Sequence, residues 1–282
     1  MILAGLAFAG GWAMVRVASH ELHPFAIVFY RNLIGALVML PIAAPAWDRS
    51  ALRRWPAHVR RAGSGVIATY AVFYAVAHAP LANVQAINFA APLFATIGAV
   101  LFLGEKIHTR RIGALAVGFA GVLIVLRPGY APLTPGIAAA IAGAVATAFS
   151  FIAIKQLVGT DEPRLVAAFT FFLMLPISAM LMPFYGGWPS AGTWLVLVGL
   201  AVSAAFGQLA TTYAFRAADA TAVMPYDFLR FGVIAFIGWW AFGERVDAAT
   251  LVGGAIILTS SIYLAYREQV VSRRPAAPPP VT

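Results

Sequence analysis

Apolar stretches, broken by short basic or proline-bearing segments, follow one another from Met1 to Tyr266. Crossing roughly 30 Å of hydrocarbon at about 1.5 Å per residue takes about 20 apolar residues in helical form. The candidates are Met1–Ala18, Pro24–Ala43, Gly63–Ala77, Ala82–Leu103 and Ile112–Leu126, then Gly136–Val158, Leu165–Phe184, Trp194–Phe215, Thr221–Phe242 and Ala249–Tyr266. Lipid offers no hydrogen bonds, so each stretch must satisfy its own backbone. The expected fold is therefore an all-α membrane protein with ten transmembrane helices. Pro80, Pro128, Pro135, Pro163 and Pro189 lie between stretches, where a residue that cannot continue a helix belongs.

Composition excludes the soluble alternative. Hydrophobic residues make up 62% of the chain and charged ones 10%, against about 45–50% and about 25% in soluble domains. A net charge of +9 would suggest nucleic acid in a soluble chain, but here the cations sit between apolar stretches. With the N-terminus in the cytoplasm, Arg49, Arg53, Arg54, Arg60, Arg61, Lys106, Arg110, Arg111, Arg164, Arg216, Arg267, Arg273 and Arg274 all fall on the cytoplasmic side. Arg127 and Arg245 fall on the other. The bias predicts both termini in the cytoplasm, which requires an even number of spans. Met1–Ala18 lacks a basic leader and a cleavage site and reads as the first span, not a removable signal. The absence of cysteine removes disulfides, thiolate metal sites and cysteine nucleophiles. The segment from 269 to 282 is proline-rich and is expected to be a disordered cytoplasmic tail.

A constant offset organises the ten stretches into two sets. Gly104-Glu105-Lys106 follows the fourth stretch and Gly243-Glu244-Arg245 the ninth, 244 − 105 = 139 residues apart. The same offset pairs Tyr74-Ala75 with Tyr213-Ala214, Ala79 with Ala218, Val84 with Val223, Pro24 with Pro163 and Arg16 with Lys155. One offset held across four spans indicates duplication, with units at 1–128 and 129–268. Five spans per unit is odd, so the second copy crosses the membrane in the opposite sense. Inverted repeats of this kind place a substrate site in a central cavity at the repeat interface.

Polar side chains within spans are costly unless paired or wetted, which makes them candidates for that cavity. Gln85, Asn88, Pro92 and Thr96 share one face of the fourth span, and Pro92 leaves the Asn88 carbonyl without its usual donor. The offset sets Asp227 opposite Asn88. Asp227 and Arg230, spaced i, i+3 and beside Tyr226, either contact a polar or zwitterionic substrate or form a structural bridge. Tyr70 and Tyr74 in the third span, and Gln208, Thr212 and Tyr213 in the eighth, either line the cavity or bond between helices. Trp12 is a candidate aromatic wall, with Phe151 as its offset partner. Arg16 and Lys155 are expected to reach opposite interfaces; Arg31 lies deeper and meets either the cavity or a neutralising group. Glu105 and Glu244 fit helix-end anchoring or a contact between the halves better than chemistry. Gly199, Ser203 and Gly207 form a small-residue stripe for close helix packing. No metal-protease, phosphate-loop or nucleophile motif is present, so neither an enzyme nor a cofactor is expected.

These patterns resemble the EamA-type drug/metabolite transporter superfamily. The resemblance rests on Leu103-Gly-Glu-Lys106 and Phe242-Gly-Glu-Arg245 closing the penultimate span of each half, on Tyr74-Ala75 and Tyr213-Ala214, and on Arg31. It implies a ten-helix basket with alternating access in a bacterial inner membrane. The expected cargo is a small polar metabolite, chiefly an amino acid being exported, bound by Gln85, Asn88, Gln208, Asp227 and Arg230 within walls of Trp12, Tyr74 and Tyr213. Expected partners are this small molecule and the lipid bilayer, without nucleic acid, in a monomer or weak dimer. A drug or nucleotide-precursor carrier, a facilitative pore and a membrane scaffold are the alternatives.

Overall fold

The computed structural model describes residues 2–47, 54–91, 93–94, 97, 109–127, 132–217 and 227–272. Among them all regular structure is helical. In order these are α1 (Ile2–Ala18), α2 (Pro24–Ala43) with a 3-10 turn at Ala44–Ala46, α3 (Trp55–His78), α4 (Leu81–Asn88) and α5 (Thr109–Leu126). Then come α6 (Pro135–Val158), α7 (Pro163–Ala179), α8 (Met182–Tyr185), α9 (Ala191–Ala217), α10 (Asp227–Phe242) and α11 (Ala248–Ser272). α2 with its 3-10 turn, α6 and α9 are each long and apolar enough to cross a bilayer.

Each expected span overlaps at least one of these eleven helices, and the differences have local causes. α3 begins at Trp55, well before Gly63, because arginine propagates a helix nearly as well as leucine and Pro56 is tolerated in the first turn. The stretch Leu165–Phe184 is divided: α7 ends three residues past its internal Pro176, and α8 is a separate turn opening on Met182-Pro183. α4 stops at Asn88, four residues before Pro92, and Phe89–Ala90 form a turn. Most of the stretch from there to Leu103, with the first Gly-Glu-Lys motif, lies outside the described residues. The proposed tail does not start at residue 269, since α11 continues to Ser272.

The helix starts carry recognisable caps. Pro24 and Pro163, paired by the offset, each occupy the first turn of the second helix of their unit, where a missing N–H costs nothing. The ring Nδ1 of His23 accepts from the Phe25 amide at 3.3 Å, and the Thr134 hydroxyl accepts from the Ile137 amide at 3.3 Å. The Asp247 carboxylate accepts from the Thr250 amide at 2.7 Å.

The principal helix contacts are α1 with α9, α3 with α6, α2 with α7 and α5 with α11. Secondary contacts join α1 to α10, α6 to α4, α2 to α9 and α7 to α3. Exchanging α1–α5 with α6, α7, α9, α10 and α11, as the offset directs, maps this roster onto itself: α2 with α7 and α5 with α11 each map to themselves, and the other pairs interconvert. Small residues permit the close approaches. A Cβ on Gly35 of α2 would lie 2.5 Å from the Phe171 ring of α7, and one on Gly143 of α6 would lie 2.8 Å from Val72 of α3. The stripe of Gly199, Ser203 and Gly207 faces α1: Gly199 abuts Met14, the Ser203 hydroxyl donates to the Ala7 carbonyl, and Gly207 sits against Phe8.

Candidate substrate cavity

A polar knot seals one end of the helix assembly. α10 finishes at Phe242, and Gly243 follows at φ +64°, a left-handed value that favours glycine. That reversal turns Glu244 back toward the other half. One carboxylate oxygen of Glu244 lies 3.1 Å from Arg16 of α1, and the other accepts from the Leu81 amide at 2.8 Å. Leu81 opens α4 behind Pro80, which supplies no side-chain cap, so Glu244 satisfies an orphan donor at a helix N-terminus. Arg16 also donates to the carbonyls of Val76 and Ala79 at the end of α3. One ion pair thus joins α1, the α3–α4 corner and the α10–α11 turn. The Glu244 side of the sequence expectation is a contact between halves; Glu105 lies outside the described residues.

A second tie stands nearby in the loop after α1. Glu21 accepts from the hydroxyls of Thr193 and Ser190 and from the Ser190 amide at 2.6 Å. These bonds, that from Thr193 most of all, hold the Glu21 carboxyl below its usual range.

Beyond the knot, along the N-terminal half of α1, lies a cavity of about 210 Å³. Its aromatic surface comes from Phe8 and Trp12 of α1, Phe73 of α3, Phe89 after α4, and Phe151 and Phe215 of the second unit. Arg230 of α10 projects into it with its guanidinium carbon 4.6 Å from the Trp12 ring centroid and 5.4 Å from that of Phe8, distances at which cation–π attraction operates. Gly5 makes room, since a Cβ there would meet Arg230 at 3.3 Å. Gln85, Asn88 and Gln208 supply amides to the same space. Gln85 and Gln208 are buried, and the Gln85 Oε1 and Gln208 Nε2 have no hydrogen-bond partner among the described residues. One unsatisfied acceptor and one unsatisfied donor in a cavity wall are groups that a ligand can complete.

Of the expected site residues, the structure brings Trp12, Gln85, Asn88, Gln208 and Arg230 together around this cavity. It sets the three described tyrosines elsewhere. Thr69, Val72 and Phe73 occupy the cavity face of α3, and at 100° per residue Tyr70 and Tyr74 turn onto the flank. There Tyr70 meets Phe25 edge-on at 4.8 Å, and Tyr74 stacks on His78 at 4.2 Å. Tyr213 lies on the outside of α9, where its hydroxyl accepts from Arg164 at 2.9 Å. Tyr226 and the Asp227 side chain lie outside the described residues, so the Asp227–Arg230 pair does too. Two arginines enter the wall, Arg31 and Arg61. Arg61 had been read as a loop cation, although Arg61, Gly65 and Thr69 recur at i, i+4, i+8 and that spacing marks one helix face. Among the described residues no cluster of three metal-ligating side chains occurs.

Comparison with known proteins agrees with this architecture. The sequence model of the EamA-like transporter family matches residues 1–127 and 134–266. A riboflavin transporter of Vibrio cholerae is 30% identical over 97% of this chain and 94% of its own. An S-adenosylmethionine uptake transporter of Rickettsia prowazekii is 28% identical over 91% and 87%, and the pseudopaline exporter CntI of Pseudomonas aeruginosa is 28% identical over 93% of each chain. A protein crystal structure at 21% identity shares the fold, with a TM-score of 0.63 over 96% of this chain and 99% of that one. An all-helical, multi-pass membrane protein with a polar, aromatic-walled cavity, matched along nearly its whole length by named transporters, this chain belongs to the EamA-like transporter family.

Proposed function

We propose that the protein is a secondary carrier moving a flat, ring-bearing metabolite of the nucleotide-precursor kind, the class to which riboflavin belongs. The observation that carries this reading is the Arg230–Trp12 stack beside the unsatisfied amide atoms of Gln85 and Gln208. A planar heterocycle can lie along the aromatic wall while its edge exchanges hydrogen bonds with the two amides. The riboflavin-transporting relative supports the same class.

The proposed architecture is ten spans in two inverted units, 1–128 and 129–268, working by alternating access. The exchange symmetry of the helix contacts and the two stretches matched by the family support it. With the N-terminus in the cytoplasm of a bacterial inner membrane, the Arg16–Glu244 knot closes the periplasmic end and the cavity faces inward. Loading from inside is the state from which export begins. A seal at one end also favours a carrier over a pore open to both sides.

Amino-acid export is the second reading. Arg230 favours it, because a guanidinium in the cavity can take an amino acid's carboxylate in two parallel hydrogen bonds. Asp227, one turn away in sequence, would take its ammonium.

Counterflow into proteoliposomes with labelled riboflavin and a panel of labelled amino acids tests both. Saturable, trans-stimulated riboflavin uptake that falls in Gln208→Ala upholds the first. Saturable flux of amino acids alone transfers the assignment to the second, and unsaturable flux throughout rejects both.

A further inference from the structure

The Arg230 stack leaves two other guanidinium groups of the cavity wall without a role. Arg31 of α2 and Arg61 of α3 both line the cavity, at 6% and 4% exposure. Arg31 donates to the Asn32 side chain at 2.8 Å, and Asn32 is anchored in turn by the Ser178 hydroxyl at 3.3 Å. The Arg31 guanidinium carbon lies 4.9 Å from the Phe171 ring and 6.0 Å from that of Phe73. Every one of these partners is neutral. Arg61 is less well served still: its Nε is buried with no hydrogen-bond partner. One of its terminal nitrogens lies where a Cβ on Gly65 would approach to 2.4 Å, so the guanidinium rests against the Gly65 backbone.

Both guanidiniums border the same cavity, so their positive charges act on one space. Among the described residues, the ion pairs engage Arg16, Arg54, His58, Arg127 and Arg216, and none engages Arg31 or Arg61. Burying like charges without a counter-charge is unfavourable, and cation–π contact offsets it only in part. Guanidinium groups in pairs answer to planar or tetrahedral oxyanions, which they grip through parallel N–H donors. Asn32 and Ser178 hold Arg31 in place, and Gly65 admits Arg61, so the site is built before any ligand arrives.

We propose that Arg31 and Arg61 form an anion subsite, and that the cargo presents a carboxylate to them while its ring rests against Trp12 and Arg230. This deepens the ring-carrier reading and rests on it. It narrows the substrate class from flat heterocycles in general to those bearing an acid group, with riboflavin, which has none, as the neutral reference.

The test uses acid and amide forms of the same ring, and a phosphate ester beside its parent alcohol. The full-length purified protein is assayed by equilibrium binding with labelled nicotinate against nicotinamide, indole-3-acetate against indole-3-acetamide, and flavin mononucleotide against riboflavin. The carboxylate pairs and the phosphate pair report separately which oxyanion is preferred. A carboxylate preference of about ten-fold or more, as two charge-assisted hydrogen bonds imply, is expected in at least one pair. Arg61→Gln and Arg31→Gln should each reduce that preference, lowering the acid's affinity more than the neutral partner's, and Arg61→Lys should fall between. Equal binding of acid and neutral partners in all pairs overturns the subsite, as does an acid preference that survives both glutamine variants. Preference for the phosphate ester alone overturns the carboxylate assignment. The wild-type comparison decides the matter even if a variant fails to fold. Saturable flux of neutral and acidic members alike upholds the ring carrier and removes the anion subsite. Tight acid binding without flux of any ring compound does the reverse.

Discussion

The Arg16–Glu244 knot sets an energy on the closed end of the carrier, and that energy can be worked from its contacts. Glu244 makes one ion pair at 3.1 Å and one charge-assisted bond to the Leu81 amide at 2.8 Å, with the two ion-pair side chains 17% and 14% exposed. At that burial the pair exceeds the 0–1 kcal/mol of a surface bridge. Glu244→Gln retains an acceptor for Leu81 but removes the charge from both contacts, a loss of about 2 kcal/mol. On the proposed alternating access the knot breaks when this end opens, so the loss shifts the population toward opening there by ~30-fold, at about 1.4 kcal/mol per factor of ten. The natural sequence has no cysteine, so Asn88→Cys in the cavity wall is a unique reporter. A membrane-impermeant maleimide supplied from the Arg16 side should label it roughly 30-fold faster in the Glu244→Gln background, if labelling follows the open population. Arg16→Met should give a similar rise, and the double variant little more than either alone. An unchanged labelling rate from that side refutes the gate, and fully additive effects refute the pairing as its basis.

Other outcomes follow from single contacts. Gly35→Ala forces a methyl against the fully buried Phe171 ring at 2.5 Å and should destabilise the detergent-solubilised protein by about 1–3 kcal/mol in thermal unfolding. Gly63→Ala, which meets nothing within 4 Å, should be neutral or slightly stabilising. Asp161, 5% exposed, holds His58 at 3.0 Å and also pairs with Arg54; Asp161→Asn should cost about 3 kcal/mol in the same assay. The carboxyl of Glu21 has a folded pKa held below its ordinary 4.5. Its clamp on Ser190 and Thr193 therefore stabilises fully above that pH and is lost as pH falls through the lowered value. The melting-temperature gap between wild type and Glu21→Gln should close there. The 139-residue offset maps Arg16 and Glu244 onto Lys155 and Glu105, so Glu105→Gln should accelerate labelling of Asn88→Cys from the opposite side when the carrier is trapped closed there.

What the sequence made legible was whatever depends on period and offset. Apolar length located the helices, and the repeat matched Pro24 with Pro163, which open equivalent helices. Helix spacing put Gln85 and Asn88 on one cavity-facing stripe. Facing direction was the weak point. Tyr70 and Tyr74 share a face at i, i+4, but spacing alone does not say which neighbour that face meets, and Phe25 claims it. Arg61 was hidden by its charge, since hydropathy places a cation in a loop, whereas a helix that continues past the apolar stretch carries it inside. The knot was visible only as two charged helix ends. Pairing Arg16 with Glu244 required the positive φ of Gly243, which redirects the chain.

The two charge clusters have complementary energetic roles along the cavity axis. The knot at one end is complete: Arg16 has a carboxylate and carbonyls, and Glu244 has a cation and an amide. The Arg31–Arg61 pair in the wall is incomplete, because both guanidiniums are buried and neither enters an ion pair among the described residues. On the proposed alternating access, closing over an empty site would leave two like charges uncompensated in a narrower cavity, and that cost would discourage closure. An anionic cargo would supply the missing charge, so on this proposal loading lowers the barrier to closure, while the Arg16–Glu244 pair must break for release on the far side. A carrier arranged as proposed would cross more readily full than empty. Trans-stimulation by an acidic substrate, weakened in Arg61→Gln, is the kinetic signature of that coupling.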